Sequence, residues 1–157
     1  MYDDELTATD RLDLALAATV ACVERLEKLV RWSDPRDGAL HAFLASLLRN
    51  EERRLDELER VGVSRESSGA HRLHHADLRR LLENHFPSFY KRAGEGPFDR
   101  ERGMYLAECL EEESARFYRK MADRATDAAS KEIFLRLERE DDSFLRLVRD
   151  VLLGQGS

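Results

Sequence analysis

The sequence predicts an all-α protein, a four-helix bundle in which a long crossover joins two antiparallel hairpins. The composition is typical of long helices, since 42% of the 157 residues are hydrophobic and 37% charged, with 8 Gly and 3 Pro. Apolar residues recur at helical spacing through four long segments. Short turns separate the segments within each pair, and a long connection separates the pairs, as in crossover bundles. No domain boundary is visible, so residues 1–157 are expected to form one domain.

The first predicted hairpin pairs helices over residues 10–32 and 39–61. Thr9 or Asp10 is the expected N-cap, because short polar side chains accept hydrogen bonds from the first helical turn. The stretch SDPRDG, residues 33–38, interrupts the helical pattern with proline and glycine. The apolar line of the first helix contains Leu12, Leu16, Val23, Leu26 and Val30, and that of the second contains Leu40, Leu44, Leu47, Leu58 and Val61.

The second predicted hairpin pairs helices over residues 100–125 and 128–153. The stretch ATDAAS forms its turn, with Thr126 or Asp127 as the cap of the last helix. The apolar line of the third long helix contains Met104, Ala107, Ser114, Tyr118 and Met121, and that of the fourth contains Phe134, Leu137, Phe144, Val148 and Val151.

The connection between the hairpins, residues 62–100, is predicted to carry one short helix over residues 71–85. It contains the cluster His71, His74 and His75. Two histidines three residues apart on a helix can share a metal ion. No acidic or cysteine residue completes a ligand set here, so we expect a solvated or dimer-facing surface.

Aromatic residues outside the apolar lines lie mostly in this connection. They are suited either to a homodimer contact or to covering the flank of the bundle itself. These residues are Trp32, Phe86, Phe89, Tyr90 and Phe98.

The net charge of −6 argues against nucleic acid and against an anionic membrane as partners. The sequence contains no run of about 18 apolar residues that could span a bilayer. The N-terminal stretch MYDDELTATD lacks the basic and apolar parts of a signal peptide, so a cytoplasmic location is expected. Cys22 and Cys109 lie in helical apolar patterns and are expected to be free thiols.

Each apolar line is interrupted once near its centre by a residue with a side-chain oxygen. These residues are Thr19, Glu51, Glu111 and Asp141. Each lies roughly 20 Å from the turn of its hairpin, at 1.5 Å per residue. Antiparallel packing therefore brings all four into one central layer. The alternative interpretation is structural: a single polar residue in an apolar line can serve only to set the register between helices.

Three buried carboxylates cannot all stay ionised without compensation, because burial and mutual repulsion raise their pKa values. A metal ion, protons or Arg54 can supply this compensation. Arg54 follows Glu51 by one turn, is permanently charged and can bind two carboxylates at once. We expect it to pair with Glu51 and Glu111, and we expect Tyr118 to bond to a carboxylate of the layer.

The stretch LEEESARFYRKMADRATDAASKEIFLRLERED resembles the third and fourth helices of the rubrerythrin branch of the ferritin-like superfamily. The resemblance is carried by Glu111, Ser114, Phe117 and Tyr118, and by the turn that follows them. It covers the two hairpins but not the connection. It implies a ferritin-like bundle that associates as a homodimer.

The resemblance also implies two irons, bound by one carboxylate on each of the first and third helices and Glu-x-x-His on the other two. This sequence departs from that ligand set at several positions. Arg54 and Phe144 replace the two histidines, Asp141 replaces a glutamate, and Thr19 stands at the first-helix carboxylate. No Cys-x-x-Cys pair of a rubredoxin-like module occurs.

We therefore expect a non-catalytic protein that has lost its di-iron site, holds no cofactor, and acts by binding or as a structural homodimer. The alternative is a metal-binding protein or di-iron oxidoreductase that keeps a reduced site on Glu51, Glu111 and Asp141. Such a site would take iron or manganese, or a hard cation such as Mg²⁺ or Ca²⁺. The sequence indicates neither a substrate nor a protein partner.

Overall fold

The computed structural model describes residues 6–66, 75–90 and 97–154, with side chains over 6–61, 76–88 and 97–152. Its elements are α1 (Ala8–Trp32), α2 (Gly38–Glu66), α3 (His75–His85), a 3₁₀ turn (Pro87–Tyr90), α4 (Arg100–Arg124) and α5 (Ala128–Gly154). Within the described residues, the only extended pairing is an isolated bridge between Ser33 and Phe98. The predicted all-α class is therefore confirmed.

The N-terminus of α1 is fixed by Thr7, so the predicted caps Thr9 and Asp10 were wrong. The Thr7 hydroxyl accepts from the Asp10 backbone N–H at 3.1 Å, and the Asp10 carboxylate accepts from the Thr7 N–H at 3.0 Å. This reciprocal capping box starts the helix at Ala8, two residues before the predicted start.

Aspartates cap the other long helices. Asp37 accepts from the Leu40 N–H at 3.0 Å at the start of α2. Asp99 accepts from the Arg102 N–H at 2.8 Å at the start of α4. At the start of α5 the cap is Asp127, one of the two predicted candidates, which accepts from the Ser130 N–H at 2.9 Å. Helix α2 ends at Glu66, five residues beyond the predicted end.

Helix α4 begins beside the turn between α1 and α2. The Asp34 N–H donates to the Phe98 carbonyl at 2.8 Å, and the Phe98 N–H donates to the Trp32 carbonyl at 2.6 Å. Arg100 also donates to both carboxylate oxygens of Asp37, at 2.7 and 2.8 Å. Helix α4 therefore starts at the end of the molecule where α2 starts, and α3 packs against α1 and α4.

One core takes side chains from all four long helices. In α1 the buried line includes Ala15, Cys22 and Leu29, whereas the predicted members Leu16 and Val30 lie one residue further on and are only partly buried. Together with Leu12, Thr19 and Leu26, these buried residues form a line with alternating steps of three and four, which keeps it facing its partners along the helix.

The α5 line also differs from the prediction. Val151 is 38% exposed and Phe144 only partly buried, whereas Leu145 and Val148 are buried. The prediction takes a step of three from Asp141 to Phe144, whereas the buried line takes a step of four to Leu145.

Phe86 and Phe98 are buried, and the rings of Trp32 and Phe98 lie 6.4 Å apart. These aromatic residues therefore cover the flank of their own chain, the second of the two predicted roles. The side chains of Phe89 and Tyr90 lie outside the described set.

His71 and His74 of the predicted cluster lie outside the described residues, as does the side chain of His75. His85 is buried, and its ring meets Phe117 edge-on at 5.1 Å. Cys22 and Cys109 are free. No helix in the described parts of the chain is long and apolar enough to cross a membrane.

Candidate functional site

Arg54 lies at the centre of the molecule with a fully buried side chain. Its Nη1 binds Asp141 Oδ1 and lies 3.5 Å from Glu51 Oε2. Its Nε donates to Glu140 Oε2 at 3.2 Å, and its Nη2 donates to the Leu137 carbonyl at 3.2 Å. All three guanidinium nitrogens are therefore bound, which a buried charge requires.

Glu140 connects this buried charge to the surface. Its side chain is 24% exposed, and its Oε2 lies 3.7 Å from Arg53 Nη2. Its Oε1 lies 3.8 Å from Arg136, which also binds Glu57. A row of ion pairs thus covers Arg54 between α2 and α5.

Asp141 is the acceptor shared by the layer. It accepts from Arg54, from the Ser114 hydroxyl at 2.5 Å and from Glu111. Burial raises the pKa of Glu111 well above its usual range, and the negative charges of Asp141 and Glu51 raise it further. The side-chain hydrogen bond between Glu111 and Asp141 raises the pKa of Glu111 as well.

Glu51 is only 3% exposed. Burial raises its pKa to about 7, although the neighbouring Arg54 charge works in the opposite direction. Oε1 of Glu51 and Oε2 of Glu111 are buried without a hydrogen-bond partner. The described side chains of the layer therefore do not form a fully paired network.

For Arg54 itself, burial acts to lower the pKa. The charges of Asp141 and Glu51 outweigh this effect and raise the pKa above its usual value. Burial also raises the pKa of Asp141, while Arg54 and Ser114 counteract the increase. The pKa of Asp141 is raised overall, since burial outweighs these two neighbours.

Tyr118 bonds to Thr19 rather than to a carboxylate. The two hydroxyl oxygens lie 3.1 Å apart, and Thr19 also donates to the Ala15 carbonyl at 2.7 Å. The Tyr118 ring lies 5.8 Å from the Arg54 guanidinium carbon, close enough for a cation–π contact. Burial raises the pKa of Tyr118 well above its usual value, so it remains a phenol.

Cys22 lies one turn after Thr19 on α1 and is 2% exposed. Burial raises its pKa well above the usual value, and the nearby charges of Glu51 and Asp141 raise it further. It is therefore a protonated thiol at the edge of the layer.

The structure brings Glu51, Arg54, Glu111 and Asp141 together, and Thr19 reaches them through Tyr118. The direct partner of Glu111 is Asp141, which lies between it and Arg54, rather than Arg54 as expected. Sequence reasoning missed the roles of Glu140, Ser114, Cys22 and the Leu137 carbonyl. The only sequence signal for Cys22 was its position three residues after Thr19, which places it on the same side of α1.

These side chains do not fit a di-iron pair. Within the described residues, no group of three or more His, Cys, Asp or Glu side chains is placed to hold a metal ion. Nη1 of Arg54 lies between Asp141 and Glu51, so a positive charge already occupies the space between two of the candidate ligands. The Phe144 side chain offers no donor atom.

Comparison with protein-family models, with curated proteins and with solved structures found no match for this chain.

Proposed function

We propose that this protein is a ferritin-like, rubrerythrin-like bundle that has lost its di-iron site and works without catalysis, by binding or as a structural homodimer. The observation that carries the proposal is the burial of Arg54 against Asp141, Glu51 and Glu140. The guanidinium supplies the positive charge that a metal pair supplies in an iron-binding bundle.

The proposal is consistent with the electrostatics of the layer. A buried ion pair offers little net stability over apolar packing, so its presence calls for another reason. Descent from a metal site supplies one, because carboxylates inherited at Glu51, Glu111 and Asp141 need a counterion after the histidines are lost. Arg54 and the proton on Glu111 together provide that compensation.

Elemental analysis tests the metal-free proposal. Protein purified without added metal is expected to contain iron and manganese at far below one ion per chain. Stoichiometric iron or manganese that disappears in Glu111→Ala would overturn the proposal.

Replacing the counterion gives a second test. Arg54→Leu leaves Asp141 and Glu51 buried without a positive partner, which typically costs about 3 to 5 kcal/mol of unfolding free energy. Without Arg54 the pKa values of both carboxyls rise, so protonation in acid restores part of the stability. Urea unfolding at pH 7.5 and pH 5 measures the difference.

Arg53→Leu is the matched control, because Arg53 is 62% exposed on the same turn of α2. It is expected to change stability by less than about 1 kcal/mol at either pH. Equal losses in the two variants, or a loss in Arg54→Leu that does not depend on pH, would contradict the role of Arg54 as internal counterion.

The homodimer part of the proposal draws on exposed apolar side chains. Leu147 is 51% and Tyr105 53% exposed, and a contact between copies that covered them would remove this apolar surface from water. Sedimentation velocity over a range of protein concentrations tests it. A protein that stays monomeric at all concentrations would contradict the homodimer role and leave binding as the proposed non-catalytic role.

The alternative is a metal-binding protein or di-iron oxidoreductase with iron or manganese on Glu51, Glu111 and Asp141. It is favoured by the two buried carboxylate oxygens, Glu51 Oε1 and Glu111 Oε2, that have no hydrogen-bond partner. The elemental analysis described above distinguishes the two functions.

A further inference from the structure

A small cavity lies at the end of the molecule where α2 and α4 begin and α5 finishes. Its volume is about 160 Å³. It lies apart from the polar layer and does not depend on the proposed function. The described residues that line it are Ala39, Leu40, Phe43, Arg100, Met104 and Val151.

The floor of this cavity is formed by core residues, and its mouth opens to the surface. Leu40 and Met104 form the floor and are 2% and 1% exposed. Phe43 is half-buried and forms a wall. Ala39 and Val151 are exposed and border the mouth. The arrangement provides an apolar recess that a small molecule can enter from solvent.

Arg100 is the only charged residue among the described lining residues. Its Nε and Nη2 donate to the two carboxylate oxygens of Asp37, at 2.8 and 2.7 Å. Its charge is thereby compensated within the protein, and an anionic ligand would have to displace Asp37. The cavity therefore selects for an uncharged, apolar molecule.

We propose that this cavity is a binding site for a small neutral apolar molecule of about the size of one aromatic ring. An apolar protein cavity of about 150 Å³ accommodates benzene. Binding removes apolar surface of the ligand, of Phe43 and of Val151 from water, which supplies the favourable free energy.

Benzene is the probe for this proposal, and the Met104 methyl group is the reporter. Protein labelled with ¹³C in the methionine methyls is titrated with benzene, and Met104→Leu assigns the signal. The Met104 methyl is expected to shift saturably because of the ring current. Met121, buried on the same helix but outside the lining, serves as the internal control. No shift, or equal shifts of both methyls, would overturn the proposal.

A pair of matched variants tests the location. Ala39 and Ala129 are each the second residue of a long helix, and both are exposed. Ala39→Trp places an indole at the mouth and is expected to weaken benzene binding at least tenfold. Ala129→Trp is expected to bind as the native protein does. Unchanged binding by Ala39→Trp, with circular dichroism showing a native helix content, would overturn the location.

Two further measurements complete the test. The melting temperature of the native protein is expected to rise with benzene concentration, because a ligand that binds only the folded state stabilises it. A Met104 shift that follows protein concentration in the absence of benzene would assign the cavity to a second copy of the chain and overturn the proposal.

Discussion

Arg54 keeps its charge in the interior because its guanidinium is bound by three carboxylates and a backbone carbonyl. The planar fork can engage Asp141 and Glu140 from different nitrogens at the same time, which a lysine ammonium cannot reproduce. Burial, followed by the negative charge of Asp141, raises the pKa of the neighbouring Glu111 well above its usual value. Single residues thus decide how many charges the layer holds.

The raised pKa of Glu51 makes stability depend on pH. The folded-state pKa is about 7, against 4.5 for an unperturbed glutamate. As pH rises, the unfolded chain loses the Glu51 proton at lower pH than the folded protein does. The contribution of Glu51 to the free energy of unfolding is therefore fully present below pH 4.5 and is lost as pH rises through 7. The free energy of unfolding that is lost through Glu51 is on the order of 3 kcal/mol, since each pKa unit corresponds to about 1.36 kcal/mol.

Glu51→Gln removes this titration. The variant is expected to lose only the share of the decline between pH 4.5 and 8 that Glu51 contributes, because the pKa of Glu111 is also raised and that group remains. It is also expected to be more stable than the native protein at pH 8, as measured by urea unfolding. Glu52→Gln, on the exposed neighbouring position, is the control and should retain the native pH profile. A Glu51→Gln profile parallel to the native one would show that folding does not raise the pKa of Glu51.

At the scale of the helix, the ends are defined by side chains that satisfy the first backbone N–H groups. Thr7 and Asp10 bond reciprocally at the start of α1. Either Thr7 or Thr9 could cap a helix by residue type, and both precede an apolar periodic segment. The capping geometry in the structure distinguishes them.

Thr7→Ala is expected to lower the free energy of unfolding by about 1 kcal/mol, because the Asp10 N–H loses its acceptor. Thr9→Ala, inside the first turn, is expected to change it by less than about 0.5 kcal/mol. Thermal unfolding of the two variants side by side measures both effects. A larger loss in Thr9→Ala would place the helix start two residues later.

At the scale of the whole molecule, the two hairpins are joined at one end around Phe98. Its backbone bonds to Trp32 and Asp34, its ring is buried, and it packs near the Trp32 ring. At mid-height, Arg54 and Asp141 join α2 to α5. These contacts connect segments far apart in the chain, so we expect the hairpins to unfold together.

Phe98→Ala is expected to cost about 3 to 5 kcal/mol, because it removes a buried ring and leaves a void. Trp32, the only tryptophan, reports this contact by fluorescence. In the native protein, its urea transition should coincide with the loss of helix seen by circular dichroism. Separate transitions would show that the hairpins are independent.

The sequence by itself determined the helices and much of the residue content of the polar layer. Long amphipathic periodicity needs no tertiary information, and a charged residue on an apolar line, such as Glu51 or Arg54, stands out against it. The same is true of the turn at residues 33–38, where proline and glycine interrupt the pattern.

Only the tertiary structure decided which side chains meet. One residue corresponds to about 100° around a helix, so an apolar line misjudged by one position exchanges Val23 for Cys22. Partner choice depends further on the rotation and separation of the two hairpins, which no single helix encodes. For this reason only the packed structure shows that Arg54 pairs with Asp141 and Glu140. The raised pKa of Glu111 and the apolar cavity likewise depend on how the helices pack together.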